Sequence, residues 1–411
     1  MPWILGSKID ERKGHILAMK ANYPLLCSWR KRTLGIDEDH IGKDEDEEMR
    51  RNALAQKLNG KGSNNTAEET VDIALDEEGV AEHSGLSCTD LLCVKDLKTT
   101  YYTYEGAVPA VDGVSFSIKA GETVGIVGES GCGKSVTALS VMGLVPYPPG
   151  RIEAGHIWFE GEDLLTKSPE EMRGIRGDKI AMIFQEPMTS LNPVYTIGDQ
   201  IAEVLEYHRG YSKEQALEKT ELLLTSVGIS DPIRRCNQYP HELSGGMRQR
   251  AMIAMALACN PKLLIADEPT TALDVTIQAQ ILEVMKDVRK DFDTAIMLIT
   301  HDLGVISEMA ERVIVMYLGR VVEEASVRDV FYNPLHPYTN ALLRAIPRPG
   351  SARKRLYAIP GVVPNPMYMP KGCKFSTRCE HAKDVCRTEE PCITEISPGH
   401  SVRCFFPGID S

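Results

Sequence analysis

No stretch of about 18 consecutive apolar residues occurs in the chain, so no segment reads as a membrane-spanning helix. The first residues, Met1 to Lys8, hold one short apolar run before the chain turns charged, too little for a secretory leader. That reading places the chain in the cytoplasm. Positive charge is also short: 46 Lys and Arg face 58 Asp and Glu, a formal net charge of −12. Phosphate backbones attract basic surfaces, so this balance argues against a general nucleic-acid binder. No heptad repeat suggests a long coiled coil. The C-x2-C pairs of common zinc folds are missing from the cysteine-rich end of the chain.

What is present is a 411-residue sequence, 43% hydrophobic and 25% charged, which is ordinary for a globular protein but too long for one core. Residues 1–88 differ from the rest. Asp37 to Glu48 is dominated by acids and Gly60 to Thr66 is polar and turn-prone, so little apolar burial offsets the entropy of ordering. This segment reads as an acidic, disordered extension; a regulatory arm and a misassigned start are the alternatives. Order is expected from near Leu91, with strands at Leu91–Val94, Val114–Ile118, Thr123–Val127, Leu263–Asp267 and Ala295–Thr300, and a hairpin over Val313–Val322. Unbroken apolar runs of strand length suit parallel strands covered on both faces. Helix formers fill about 188–260. The expected fold class is therefore α/β: a unit over 89–332 with a helical insert, then a small C-terminal domain over 333–411. Eleven cysteines are present, five of them in the last forty or so residues.

Gly128-Glu129-Ser130-Gly131-Cys132-Gly133-Lys134-Ser135 fits the pattern G-x-x-x-x-G-K-[ST], between a predicted strand and a predicted helix. The glycines let backbone N–H groups turn inward around phosphate oxygens, Lys134 can reach the β- and γ-phosphates, and Ser135 can ligate Mg²⁺. A glycine-rich turn without function is the bland reading, and the strand before and helix after argue against it. About 130 residues later, the strand ending at Asp267 delivers that carboxylate to the Mg²⁺ side, and Glu268 can polarise a water as general base.

The third piece, Leu243-Ser244-Gly245-Gly246-Met247-Arg248-Gln249-Arg250, resembles the signature sequence of ABC ATPases. Several roles follow from that resemblance. Ser244, Gly245 and Gly246 would close on the ATP of a partner subunit. Gln185 would reach Mg²⁺ and the water, Asp274 would lie in the loop crossing the dimer interface, and His301 would contact the γ-phosphate. Val136 would join Gly128, Ser130, Gly131, Cys132, Gly133, Lys134 and Ser135 around the nucleotide. Tyr101, Tyr102 and Tyr104 are candidates to stack on adenine, with spacing favouring Tyr101. The stretch Pro187-Met188-Thr189-Ser190-Leu191-Asn192-Pro193, together with Thr270 to Gln280 and His336-Pro337-Tyr338-Thr339, resembles importer subunits of the peptide and nickel uptake family over about residues 91–408. The resemblance implies an ATP-hydrolysing subunit for di- and oligopeptide import, using ATP and Mg²⁺ at the cytoplasmic face of the membrane. It also implies a second ATPase subunit in a heterodimer, two transmembrane permeases and an extracytoplasmic binding protein. A nickel or other solute importer and a soluble ABC ATPase that moves nothing are the alternatives. Finally, Cys373, Cys379, Cys386 and Cys404 resemble a tail reported to hold a [4Fe–4S] cluster, with zinc or unligated thiols as alternatives and Cys392 as a bystander.

Overall fold

The computed structural model describes residues 89–186, 190–270, 275–346 and 357–409. The expectations placed on 1–88, on Pro187 to Thr189 and on Asp274 lie outside these residues.

The described chain opens with two long antiparallel strands, β1 (Leu92–Thr103) and β2 (Gly106–Ile118). The five-residue β3 (Thr123–Val127) follows and runs through the phosphate-loop sequence into α1 (Lys134–Val141). Next come β4 (Gly150–Phe159), β5 (Glu162–Asp163), α2 (Pro169–Ile175) and β6 (Ile180–Ile183). A helical stretch separates β6 from the next strand: α3 (Ile197–Arg209), α4 (Lys213–Ser226), α5 (Pro232–Cys236) and α6 (Gly245–Leu257). Its boundaries are written in side chains. Thr196 caps α3 by accepting from the Asp199 N–H, Gly210 ends it at φ +67°, and Ser212 with Gln215 forms a capping box for α4.

The second half contains β7 (Leu263–Asp267), α7 (Val275–Phe292), β8 (Ala295–Ile299), α8 (Leu303–Met309) and the hairpin β9 (Arg312–Tyr317) and β10 (Arg320–Ser326). Then follow α9 (Val327–Tyr332), α10 (Pro337–Ala345), α11 (Asp384–Thr388), β11 (Thr394–Ser397) and β12 (His400–Val402). One sheet runs in the order β2-β1-β4-β5, the other in the order β11-β12-β10-β9-β3-β8-β7-β6. In the larger sheet, β6, β7, β8, β3 and β9 are mutually parallel. Alternation along these strands feeds two cores. Ile126, Ile265, Met297 and Ile314 face the first sheet, and Val127, Ala266, Leu298 and Val315 face the helices. Both faces are therefore covered, which explains the unbroken apolar runs. The α/β architecture expected from the sequence is the one the chain adopts. Parallel strands also bring the ends of β3, β6, β7 and β8 to one edge, where open α/β sheets bind ligands.

Candidate active site

The loop after β3 is shaped by glycine. Gly128, Gly131 and Gly133 have φ of 154°, 79° and 103°, a region that L side chains rarely adopt. A Cβ on Gly128 would come 2.3 Å from the Met316 carbonyl oxygen, and one on Gly133 would come 2.3 Å from that of Ala110. Lys134 is buried, and its ammonium donates to the carbonyls of Gly128 (2.8 Å) and Glu129 (3.1 Å). Ser130 is exposed at the loop's tip, Val136 is half-buried on α1, and Cys132 is buried beneath the loop, where burial pushes its thiol up.

Two further strand ends meet this loop. The Ser135 hydroxyl donates to Asp267 Oδ1 at 3.0 Å. Burial pushes the Asp267 carboxyl up to about 6; the Ser135 hydrogen bond and Lys134 oppose that shift, while Glu268 next door adds to it. A carboxylate and a hydroxyl oxygen so placed are the oxygen donors a hard divalent cation takes, and such a cation would restore the carboxylate charge that burial disfavours. Glu268 turns off the end of β7 in the left-handed region, φ 48°, with its N–H bonded to the Ile299 carbonyl at 2.8 Å. A non-glycine residue held there is strained, and such strain collects at functional sites. Its carboxylate is gripped from both sides. Gln185 Nε2 donates to Oε2 at 2.8 Å, and His301 Nδ1 lies 3.3 Å from Oε1. Residues from the ends of β6, β7 and β8 thus converge on one carboxylate.

The remaining candidates stand apart from this cluster. Ser244 caps α6 by accepting from the Met247 N–H at 3.3 Å; it and Gly245 are exposed, and space around Gly245 is open. Gly246 packs near Ile277. Of the three tyrosines, Tyr104 is fully exposed and Tyr102 donates to Glu153, while the half-buried Tyr101 has its ring against Gly150. Sequence reasoning missed Tyr338 and Arg378. Both belong to the C-terminal region, and both bond to Glu129 within the phosphate-loop sequence. Tyr338 lies in the His336-Pro337-Tyr338-Thr339 stretch, which marked the family but not this contact, and Arg378 sits in no pattern that would have exposed it.

The ABC transporter family pattern matches residues 111–271, and that of the oligopeptide/dipeptide transporter C-terminal region matches 322–386. The oligopeptide transport ATP-binding protein AppD of Bacillus subtilis is 56% identical over 316 residues, covering 77% of this chain and 96% of that protein. The dipeptide transport ATP-binding protein DppD of Escherichia coli is 50% identical over 317 residues, covering 77% and 97%. Among solved structures, the dimeric post-hydrolysis state of the ATP-binding cassette MJ0796 bound to ADP and Pi matches with a TM-score of 0.53 at 30% identity, over 58% of this chain and 99% of that one.

The cluster expectation for the tail is corrected. Cys373, Cys379, Cys386 and Cys404 do line one cavity, shared with Phe375 and Phe406. Yet no group of three or more His, Cys, Asp or Glu able to hold a metal ion forms among the described residues. The physical reason is the lining. The four thiols share the cavity with Phe375, Phe405, Phe406 and Ile409, and burial pushes the Cys373 thiol up to about 11 and raises that of Cys404, so this apolar lining suits neutral thiols. The relatives are named as peptide-transport ATP-binding proteins. Fold, motif geometry and these likenesses agree: this chain belongs to the ABC transporter family, in its oligopeptide/dipeptide branch, and is an ATP-hydrolysing transport ATPase.

Proposed function

We propose that the chain is the ATP-hydrolysing subunit that powers import of di- and oligopeptides. Its relatives' names give the substrate class, and the match to the oligopeptide/dipeptide C-terminal region over 322–386 supports the same branch. One observation carries the chemical part: Gln185, Glu268 and His301, from three strand ends, meet at one carboxylate beside the Ser135–Asp267 pair.

In this reading the N–H groups of Gly131 to Ser135 and the Lys134 ammonium hold the phosphates, with the α1 N-terminus adding its positive end. Ser135, Asp267 and Gln185 would hold Mg²⁺, which would supply positive charge to offset that of the β- and γ-phosphate oxygens. Glu268 accepts the proton of the attacking water as a bond forms to the γ-phosphorus and the ADP oxygen leaves. Gln185 and His301 orient that carboxylate, and His301 also faces the γ-phosphate. Tyr101 supports adenine.

Ser244 and Gly245 are exposed on their own chain, with Gly246 half-buried behind them, which suits a role on the ATP of a second, non-identical ATPase subunit. No described helix is long and apolar enough to cross a membrane, so passage requires separate permease chains, with an external binding protein delivering the peptide. The chain then works at the cytoplasmic face of the membrane. ATP drives the cycle because it binds the closed pair better than the open one.

Glu268→Gln keeps the size and one hydrogen-bonding oxygen of the side chain but cannot take a proton. It is expected to bind MgATP as the wild type does and to lose at least about 100-fold in phosphate release. Steady-state phosphate release with a parallel ATP-binding measurement decides; near-normal hydrolysis overturns the assignment of the base.

A further inference from the structure

The phosphate-loop sequence is gripped from outside by the C-terminal region, and the grip centres on Glu129. Its backbone N–H donates to the Tyr338 hydroxyl at 2.9 Å. Its carboxylate receives both prongs of Arg378: Nη1 to Oε2 at 2.6 Å and Nη2 to Oε1 at 3.1 Å. Its carbonyl receives Lys134 Nζ from inside the loop. One residue of a glycine-rich turn is thereby held at its N–H, its C=O and its side chain.

The holder is itself immobilised. The Arg378 side chain is only 4% exposed, although it carries a full charge. Its Nε donates to the Pro360 carbonyl at 3.0 Å, and Nη1 also reaches the Tyr317 hydroxyl at 3.4 Å. Tyr317, Tyr338 and Phe375 are buried and pack ring on ring, with centroids 4.7 to 5.3 Å apart. Tyr317 ends β9, the strand beside β3, so the grip is anchored to the sheet edge that carries the loop. A surface ion pair would count for little here, but a fork-on-carboxylate pair with one partner buried and further bonded is rigid and directional.

The glycines that allow the loop its shape also allow it others, since residues without Cβ lose the most freedom on ordering. Holding Glu129 removes that freedom next to the first glycine of the motif. We propose that Arg378 and Tyr338 are positioning residues for ATP: they fix the phosphate loop in its binding shape through Glu129, and so make the C-terminal region part of the nucleotide site. This rests on the reading of residues 128–135 as the phosphate holder. The two residues do not touch nucleotide; they set how often the loop N–H groups point correctly.

The test is a double-mutant cycle on the full chain, with the MgATP dissociation constant measured well below each variant's melting temperature. Arg378→Met and Glu129→Gln are each expected to weaken MgATP by about tenfold, and the double variant to be no worse than the worse single one. Arg378→Lys, a charge without the fork, should fall between. Tyr338→Phe, which removes only the hydroxyl, should weaken MgATP by about threefold or more. It and Arg378→Lys carry the test if Arg378→Met does not fold. Wild-type dissociation constants in the folded variants, or losses that simply add, overturn the proposal. Lys134→Ala separates the two layers. If it binds MgATP normally, the reading of the loop itself falls. If it alone loses binding, only the role of Arg378 and Tyr338 falls.

Discussion

Gly133 and Gly131 show how differently two residues of one motif are constrained. Both have positive φ, 103° and 79°. An added methyl at Gly131 meets nothing within 4 Å, whereas one at Gly133 meets the Ala110 carbonyl oxygen at 2.3 Å. Gly131→Ala is therefore expected to cost about 1–2 kcal/mol, the left-handed backbone penalty alone. Gly133→Ala should cost that and more, because backbone must also move. Thermal melts of the two variants check this ordering, and equal losses contradict it. The glycines were legible in the sequence because their chemistry forces their spacing. Gln185 and His301 were named from the resemblance to ABC ATPases, whereas Glu268 was legible as the acid that follows an apolar strand. Arg378 and Glu129 were not, since the partners are 249 residues apart and nothing local distinguishes them from surface charges.

At the level of elements, strand ends were easier to read than strand lengths. The short central strands appear where their apolar runs lie. β1 and β2 extend well beyond Leu91–Val94 and Val114–Ile118, because register shifts along the pair break the alternation that would have marked them. β11 was invisible because all four of its residues are exposed. The start of α10 depends on a histidine. His336 Nδ1 accepts the Tyr338 N–H at 3.0 Å, and the His336 N–H donates to the fully buried Glu323 at 2.9 Å. An accepting nitrogen is unprotonated, and burial lowers His336 from 6.5 to about 4. Between those values the unfolded chain binds a proton that the folded chain refuses. The stability contributed is thus complete above pH 6.5 and lost as pH falls towards 4. Melting temperature should drop between pH 7 and pH 5, and drop less in His336→Asn, which can still cap the helix. An unchanged pH slope in that variant contradicts the assignment. Because α10 carries Tyr338, the same protonation should loosen the hold on Glu129.

The scale of the whole molecule is where sequence and structure divide most clearly. The α/β order was legible because parallel strands announce themselves as apolar runs. In the tail, β12 pairs with β10 and continues the large sheet, and the cysteines surround an apolar cavity, a pairing across about 77 residues that no local pattern announces. Joined to the sheet and to the phosphate loop, the C-terminal region has little room to act alone. The proposed permease and binding-protein partners rest on the peptide-transport relatives and on the match to the oligopeptide/dipeptide C-terminal region. The claim that unites these parts is that hydrolysis at Glu268 drives peptide uptake. The most direct measurement is accumulation of a labelled dipeptide in cells whose only copy of this subunit is wild type or Glu268→Gln, at matched protein levels. Uptake should occur with the first and fall to background with the second. Uptake at the wild-type rate in the Glu268→Gln cells would contradict the account.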